Sequence, residues 1–310
     1  MKLTIVICTH NRSTLLLKTL ESIDNATIPP QVDIVILVIA NACTDGTVKK
    51  LQEHQKWQID NNLLPIEFME EPRTGKSYAL NKALTLISGG WITFIDDDQR
   101  VDTNYYKAVV DAINNYPDTM LFCGKLIPEW TGHEPGWIHE KGVYQITPIP
   151  IPDFDLGNNQ LILSEKDFIP SGGNIIINQN VFDKIGNFSE KLGPTGHNLV
   201  GSEDTDLILR ALNSHEKLRY IPAIIQYHYV DLLRFKLHYL ILMNFQRNRS
   251  FSAISQYGYN QVPNYLWLKL GQYAAGVLFS FNTRRIRFYL IKMATILGQI
   301  VGIVQSRHQI

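Results

Sequence analysis

An α/β domain with a mostly parallel sheet flanked by helices, followed by a basic helical appendage, is the fold class this sequence predicts. Three observations predict it. Short apolar, β-branched runs alternate with helix-period segments over the first 120 residues. Several of those runs are apolar throughout, as in strands buried on both faces. The charge then splits along the chain: residues 232–310 hold ten Lys or Arg and no Asp or Glu, although the whole chain balances 29 basic against 29 acidic residues. Such asymmetry points to an anionic partner for the C-terminal end.

Leu3 to Cys8 predicts the first strand, ended by Thr9-His10-Asn11-Arg12-Ser13, and Leu16, Leu20 and Ile23 mark one face of the helix that follows. Ile34 to Ala40 predicts a second buried strand. The next helix is expected to take Thr44 or Asp45 as its N-cap. Leu64 to Met69 predicts a third strand, and Arg73-Thr74-Gly75-Lys76-Ser77 opens a helix reaching Leu86. Ile92 to Ile95 predicts a fourth strand, Tyr105, Val109 and Ile113 a helix, and Thr119 to Cys123 a fifth strand. Alternation at this spacing implies βαβ units, and ligands of such sheets bind beyond the carboxyl ends of the strands. Thr9, Asn41, Arg73 to Lys76 and Asp96 to Asp98 all follow strands and are expected to gather on that edge.

From Gly124 to Pro170 the pattern turns irregular, with Trp130 and Trp137 read either as sugar-stacking or as packing under a long loop. Ile175 to Ile177 predicts another strand after the pair Gly172-Gly173, which suits a close backbone approach or a tight bend. Ser202 is a plausible N-cap for a helix whose first turn, Glu203-Asp204-Thr205-Asp206, is acidic. Ile221 to Tyr227 forms a last strand ending in His228. The 310 residues are 45% hydrophobic and 19% charged, ordinary globular material. Cys8, Cys43 and Cys123 lack metal-ligand spacing and fit reduced thiols better than a disulfide framework. Lys2-Leu3 enters a strand directly, so no signal peptide is expected.

The chemistry centres on Asp96-Asp97-Asp98, three carboxylates at a strand end. Like charges so close repel one another, and a divalent cation with a phosphate behind it would relieve them; a solvated acidic turn is the structural alternative. Thr74-Gly75-Lys76-Ser77 superficially mimics a P-loop, but the glycine needed five positions before Gly75 is Glu70, a carboxylate where phosphate would sit, so that reading fails.

Five ordered segments resemble the family 2 glycosyltransferases, inverting enzymes of GT-A fold. They are Ile5-Val6-Ile7-Cys8-Thr9-His10-Asn11-Arg12, then Val38-Ile39-Ala40-Asn41-Ala42-Cys43-Thr44-Asp45-Gly46-Thr47, then Gly75-Lys76-Ser77-Tyr78-Ala79-Leu80-Asn81, the Asp96-Asp97-Asp98 triplet and Glu203-Asp204. The resemblance runs from Leu3 to about His228 and implies a GT-A nucleotide-sugar-binding domain over residues 1–231. It implies Mn²⁺ or Mg²⁺ held by Asp98, with Asp96 as ribose or secondary metal contact; His228, at a strand end, is read either as a further metal ligand or as a hydrogen-bonded structural histidine. It also implies donor contacts from Thr9, Asn11, Arg12 and Asn41, and a catalytic base at Asp204, with Glu203 positioning the acceptor or taking that role itself; Arg73 and Lys76 are read as contacts to the diphosphate or nucleotide, or as solvent-exposed loop cations. Asp97 is expected to face the other way and fix the turn. Ala40-Asn41 departs from the family's usual Asp at the second strand end, which leaves the nucleotide base open; a UDP-sugar is favoured as the commonest donor. Gln246-Arg247-Asn248-Arg249-Ser250 lacks the tryptophan of the processive members' motif, which argues for single-sugar addition.

Residues 232–310 are read as a basic helical region with two apolar helices, Tyr265 to Phe281 and Ile286 to Val304. Neither is a clean transmembrane span, and their cations suit an anionic membrane surface or packing within the protein. The resulting expectation is an inverting sugar transferase of polysaccharide biosynthesis. It would be cytoplasmic and peripheral on the inner face of the cell membrane, with a saccharide or lipid-linked saccharide acceptor and no nucleic acid partner. A non-catalytic nucleotide-sugar or glycan-binding protein on the same fold is the alternative.

Overall fold

The computed structural model describes residues 1–30, 32–170, 173–196, 198–254 and 261–307. The opening run folds as strand β1 (Lys2–Thr9). Successive side chains of a strand point to opposite faces, and here Leu3, Ile5 and Ile7 enter one core while Val6 enters the other. Burial on both faces is why the run is apolar without alternation; each fully buried aliphatic side chain contributes about 1.5–3 kcal/mol. Helix α1 (Ser13–Asp24) buries Leu16, Leu20 and Ile23 against this sheet. Strand β2 (Asp33–Asn41), helix α2 (Thr47–Asp60), strand β3 (Ile66–Glu71), helix α3 (Lys76–Leu86) and strand β4 (Trp91–Phe94) continue the alternation. β1 pairs in parallel with β2 and β4, and β2 with β3.

Then follow β5 (Gln99–Val101), α4 (Tyr105–Asn115), β6 (Leu121–Glu129), β7 (Leu161–Leu163), β8 (Ile175–Asn178), α5 (Asn180–Ile185), α6 (Glu203–Asn213) and β9 (Leu218–Tyr229). Among the described residues nine strands form one sheet in the order β3-β2-β1-β4-β8-β6-β9-β5, with β7 on β9. The parallel half predicted from the alternation is present. Beyond β4 the sheet is mixed, because β8 runs antiparallel between β4 and β6, and β5 and β7 pair antiparallel with β9.

Several local expectations are corrected. The fifth predicted strand does not stop at Cys123 but runs to Glu129, passing Gly124, where a Cβ would lie 1.9 Å from the Ile224 carbonyl oxygen. Helix α2 has Gly46 at its cap; Asp45 sits one residue earlier, and its carboxylate accepts the Thr47 amide at 2.9 Å. Ser202 precedes α6 at φ 78°, in the left-handed region rather than the extended geometry of an N-cap. His228 lies inside β9, not at its end. Of the glycine pair, Gly172 lies outside the described residues, while Gly173 (φ 102°) makes room for the Gln99 side chain, 2.5 Å from where a Cβ would stand. All three cysteines are free thiols.

The chain divides into two compact units. One comprises Met1–Glu129, Pro152–Lys191 and Glu203–Tyr229; the other comprises Trp130–Ile151, Leu192–Ser202 and Val230–Ile310. The second therefore takes in two segments that precede residue 232. Its helices are α7 (Leu237–Ile254), α8 (Asn264–Leu278) and α9 (Thr283–Arg307). Within it Trp137 packs edge-on to Phe235 with the Arg287 guanidinium 4.2 Å from its ring, and Trp130 lies against His139. Both tryptophans thus have packing roles.

Candidate active site

The site grows from the register of β1 and β4. Val6 stands opposite Phe94, and the Ile95 amide donates to the Val6 carbonyl. The acidic triplet that follows β4 therefore comes alongside Cys8 and Thr9, at the carboxyl edge where β1 is flanked by β2 on one side and β4 on the other. Thr9 Oγ1 donates to Asp97 Oδ2 at 2.8 Å, and the Arg12 guanidinium lies 3.2 Å from both Asp97 Oδ1 and Asp98 Oδ2. Thr19 donates to the Asp97 carbonyl. Burial pushes the Asp97 carboxyl up to about 6, against the pull of Arg12 and with the help of Asp98. Asp97 is thus tied to β1 and α1, while its neighbours face elsewhere.

Asp98 turns toward β9. Pairing of β5 with β9 puts Gln99 opposite His228, and the Tyr229 amide donates to the Asp98 carbonyl. His228 Nε2 then lies 3.4 Å from Asp98 Oδ1, with both side chains buried. His228 Nδ1 is 2.7 Å from the Tyr229 carbonyl oxygen. A carbonyl only accepts, so Nδ1 carries the hydrogen and Nε2 is the nitrogen that faces the carboxylate, a donor to it when the ring is charged and a lone pair when a cation lies between them. That is the orientation of a metal-ligating histidine. Among the described residues no three His, Cys, Asp or Glu side chains stand as a ready-made cation cage. An Asp–His pair completed by phosphate oxygens and water nevertheless suits Mg²⁺ or Mn²⁺, which use few protein ligands.

Asp96 goes a third way. The Lys76 ammonium lies 3.0 Å from Asp96 Oδ1, 3.2 Å from Glu203 Oε1 and 3.8 Å from Asp204 Oδ2. Lys76 is placed by the start of α3, where Gly75 (φ 148°) bends the chain and gives its amide to Asn41 Oδ1. Burial alone would lower the Lys76 pKa; Asp204, Asp96 and Glu203 outweigh it and hold the amine well above its ordinary value. Glu203 is buried, and burial together with Asp204 pushes its carboxyl up to about 7 despite Lys76. The acidic first turn of α6 is thereby joined to the strand-end triplet by one cation. Asp206, on the same turn, instead pairs with Arg210, whose guanidinium caps the carbonyls of Ile185 and Asn187.

The fold thus brings together Thr9, Arg12, Lys76, Asp96, Asp98, Glu203, Asp204 and His228. Three other expected donor contacts are engaged in building the edge. Asn41 Nδ2 donates to the carbonyls of Glu71 and Arg73. Asn11, at φ 55°, accepts the amides of Thr44 and Asp45. Arg73 forms a two-pronged pair with Glu71 at 2.9 Å, lies near Glu190 and covers the Tyr78 ring. Sequence reasoning missed Gln99, whose Oε1 accepts the Asp96 amide at 3.0 Å and fixes the turn of the triplet. A buried amide directly after three carboxylates was the available signal.

Comparisons with known proteins bear on the family and the fold. A glucosyl-dolichyl phosphate glucuronosyltransferase of Haloferax volcanii is 24% identical over 212 residues, 68% of this chain and 63% of its own length. The glycosyltransferase GlyA of Streptococcus pneumoniae is 29% identical over 124 residues, 37% of this chain and 17% of its own. The chain therefore spans less than two thirds of both relatives. Among solved structures, a mannosyltransferase of Pyrobaculum calidifontis in complex with GDP-Man and Mn²⁺ matches with a TM-score of 0.59 at 14% identity, covering 99% of this chain and 87% of that one. S. aureus TarS 1–349 with UDP-GlcNAc matches at 0.56 and 12% identity, covering 100% and 92%. These likenesses establish the GT-A fold. The model of "Glycosyl transferase family 2" matches residues 4–186, more than half of the chain, and the chain belongs to that family.

Proposed function

We propose that the protein is an inverting, metal-dependent hexosyltransferase that moves a sugar from a nucleotide-diphosphate donor to a saccharide or lipid-linked saccharide acceptor in polysaccharide biosynthesis. The observation that carries the proposal is the convergence of Asp96, Glu203 and Asp204 on Lys76, beside the Asp98–His228 pair. Binding alone needs no adjacent carboxylate pair held on a cation; deprotonating an acceptor hydroxyl as it attacks an anomeric carbon does.

In this reading Asp98 and His228 hold the metal, and Asp96 contacts the ribose. When bound, Mn²⁺ or Mg²⁺ supplies Lewis-acid neutralisation of the departing diphosphate. Arg12 and Lys76 lie where they would pass from the chain's own carboxylates to phosphate oxygens. Asp204 takes the proton of the acceptor hydroxyl as its oxygen bonds to the anomeric carbon, and the bond to the diphosphate breaks with its electron pair leaving on the nucleotide. Burial raises the Glu203 carboxyl toward neutrality, the range in which a general base works best, so Glu203 either positions the acceptor or takes that proton itself. The donors named in the two fold relatives, UDP-GlcNAc and GDP-Man, carry different bases; a UDP-sugar is the first to test. The dolichyl phosphate in the name of the Haloferax relative supports a lipid-linked acceptor, and with it a peripheral position at the inner face of the membrane.

The test is donor hydrolysis and transfer with Mn²⁺ in wild type, Asp98→Ala and Asp204→Asn. Asp204→Asn is expected to lose about 10²–10⁴-fold in kcat with nucleotide affinity retained, and Asp98→Ala to lose Mn²⁺-dependent nucleotide binding. Equal turnover in all three would remove these roles. Tight nucleotide-sugar binding with no turnover in wild type would favour a non-catalytic binding protein.

A further inference from the structure

Along α8 and the turn after it the helical unit exposes a run of large apolar side chains. Helix α9 is long and apolar enough over Thr283–Ser306 to cross a membrane by length and composition. Its faces are nonetheless used inside the unit. A Cβ on Gly298 would stand 2.3 Å from the Phe245 carbonyl oxygen, and one on Gly302 2.3 Å from that of Arg249, so the Gly-x-x-x-Gly face lies directly on the α7 backbone. Ile296, Ile300 and Ile303 bury Leu266 of α8. Hydropathy thus selects a helix that packs on both α7 and α8, with 39% of its apolar window buried.

Helix α8 is different. It has one charged residue, Lys269, and of its apolar side chains only Leu266 is fully buried. Leu268 is 67% exposed, and at the turn into α9 Leu278 is 76%, Phe279 79% and Phe281 101% exposed. Tyr265, Leu268, Gln272, Ala275 and Phe279 recur every three or four residues along the outward side, and all are exposed. The charge beside this face has one sign. Helices α7, α8 and α9 contain no Asp or Glu, and among the described residues Lys269, Arg285 and Lys292 have no carboxylate partner, whereas Arg284 pairs with Glu140. In a two-fold contact between copies each residue of this face meets a residue of the same face, and helices without Asp or Glu offer Lys269 and Arg285 no opposite charge there. An apolar helix face rimmed by cations alone is complementary to anionic lipid.

We propose that the outward face of α8 and the Phe279–Phe281 turn lie in the plane of an anionic bilayer surface, with α9 held inside the unit. This deepens the membrane part of the proposed function but does not depend on sugar transfer, since vesicle binding requires no chemistry. The test uses the full chain with vesicles of phosphatidylcholine, with and without phosphatidylglycerol, read by co-sedimentation and by quenching of Trp fluorescence with brominated lipid. Wild type is expected to bind the anionic vesicles. Lys269→Glu/Arg285→Glu should weaken binding at least about tenfold, and Leu268→Gln/Phe279→Ser/Phe281→Ser should abolish it, both with unchanged helical circular dichroism and donor hydrolysis. Trp267 of α8 is 52% exposed, and Trp267→Phe should remove most of the quenchable signal. Wild-type binding in all variants, or no binding by wild type, would overturn the proposal. So would concentration-dependent dimers that the apolar variant loses, which would assign the face to a second copy.

Discussion

Lys76 Nζ stands 3.2 Å from Glu203 Oε1, and this one contact joins a helix that begins after the third strand to a helix that begins more than 120 residues later. The ammonium also meets Asp96, so a single cation joins the strand-end triplet to the acidic first turn of α6.

Removing that cation has a pH signature. Burial and Asp204 raise the Glu203 carboxyl to about 7, and Lys76 opposes them. Lys76→Met should raise it further, so the acid limb of the kcat/KM profile moves to higher pH and neutral activity falls, with Lys76→Arg retaining more. Between about 4.5 and 7 the folded protein binds more protons at Glu203 than the unfolded chain, so the stability that this group contributes falls as pH rises through that window. Asp97, raised from 3.8 to about 6, acts in the same direction. Thermal melts of the metal-free protein should show Tm declining from pH 5 to pH 7, with a shallower decline in Glu203→Gln. A Tm that rises across this range in wild type would contradict the assignment.

The Asp98–His228 pair predicts a specific loss. His228→Ala should reduce Mn²⁺ affinity in the presence of nucleoside diphosphate about 10–100-fold, measured by calorimetry, with little change in metal-free nucleotide affinity. Unchanged Mn²⁺ affinity would place the ion elsewhere.

Gly173 and Gln99 form a second checkable relationship. A Cβ at Gly173 would lie 2.5 Å from Gln99 Oε1, the atom that accepts the Asp96 amide. Gly173→Ala should therefore disturb the acidic turn and raise the donor KM more than it lowers kcat. Adding Gln99→Ser should recover part of the folding defect but not the donor affinity. Full recovery of affinity by the double variant would show that Gln99 does not position Asp96.

Gly124 tests the architecture apart from the chemistry. A Cβ there would meet the Ile224 carbonyl oxygen at 1.9 Å, and backbone cannot swing aside as a flexible side chain would. Gly124→Ala should cost about 1–3 kcal/mol, lowering Tm by ~2–4 °C per kcal/mol, as measured by calorimetry. An unchanged Tm would mean that β6 and β9 separate more easily than their ladder implies.

The sequence by itself determined the parallel half of the sheet, because strands buried on both faces must be apolar throughout and leave a mark that needs no partner to be read. It also determined which residue types stand at the strand ends, Thr9 and Asp96 to Asp98, and at the start of a helix, Glu203 and Asp204. Only the tertiary structure decided how they divide. Asp97 goes to Thr9 and Arg12, Asp98 to His228, and Asp96 to Lys76, because each contact depends on strand register across distances that no local pattern encodes. The antiparallel insertion of β8, and the short β5 that brings His228 to Asp98, were equally unreadable, since pairing partners are set by the sheet rather than by the strand. The same holds for the C-terminal helices. Hydropathy singles out α9, while burial by α7 and α8 leaves the exposed apolar face on α8. Composition records how apolar a helix is; only packing decides which of its faces remains uncovered.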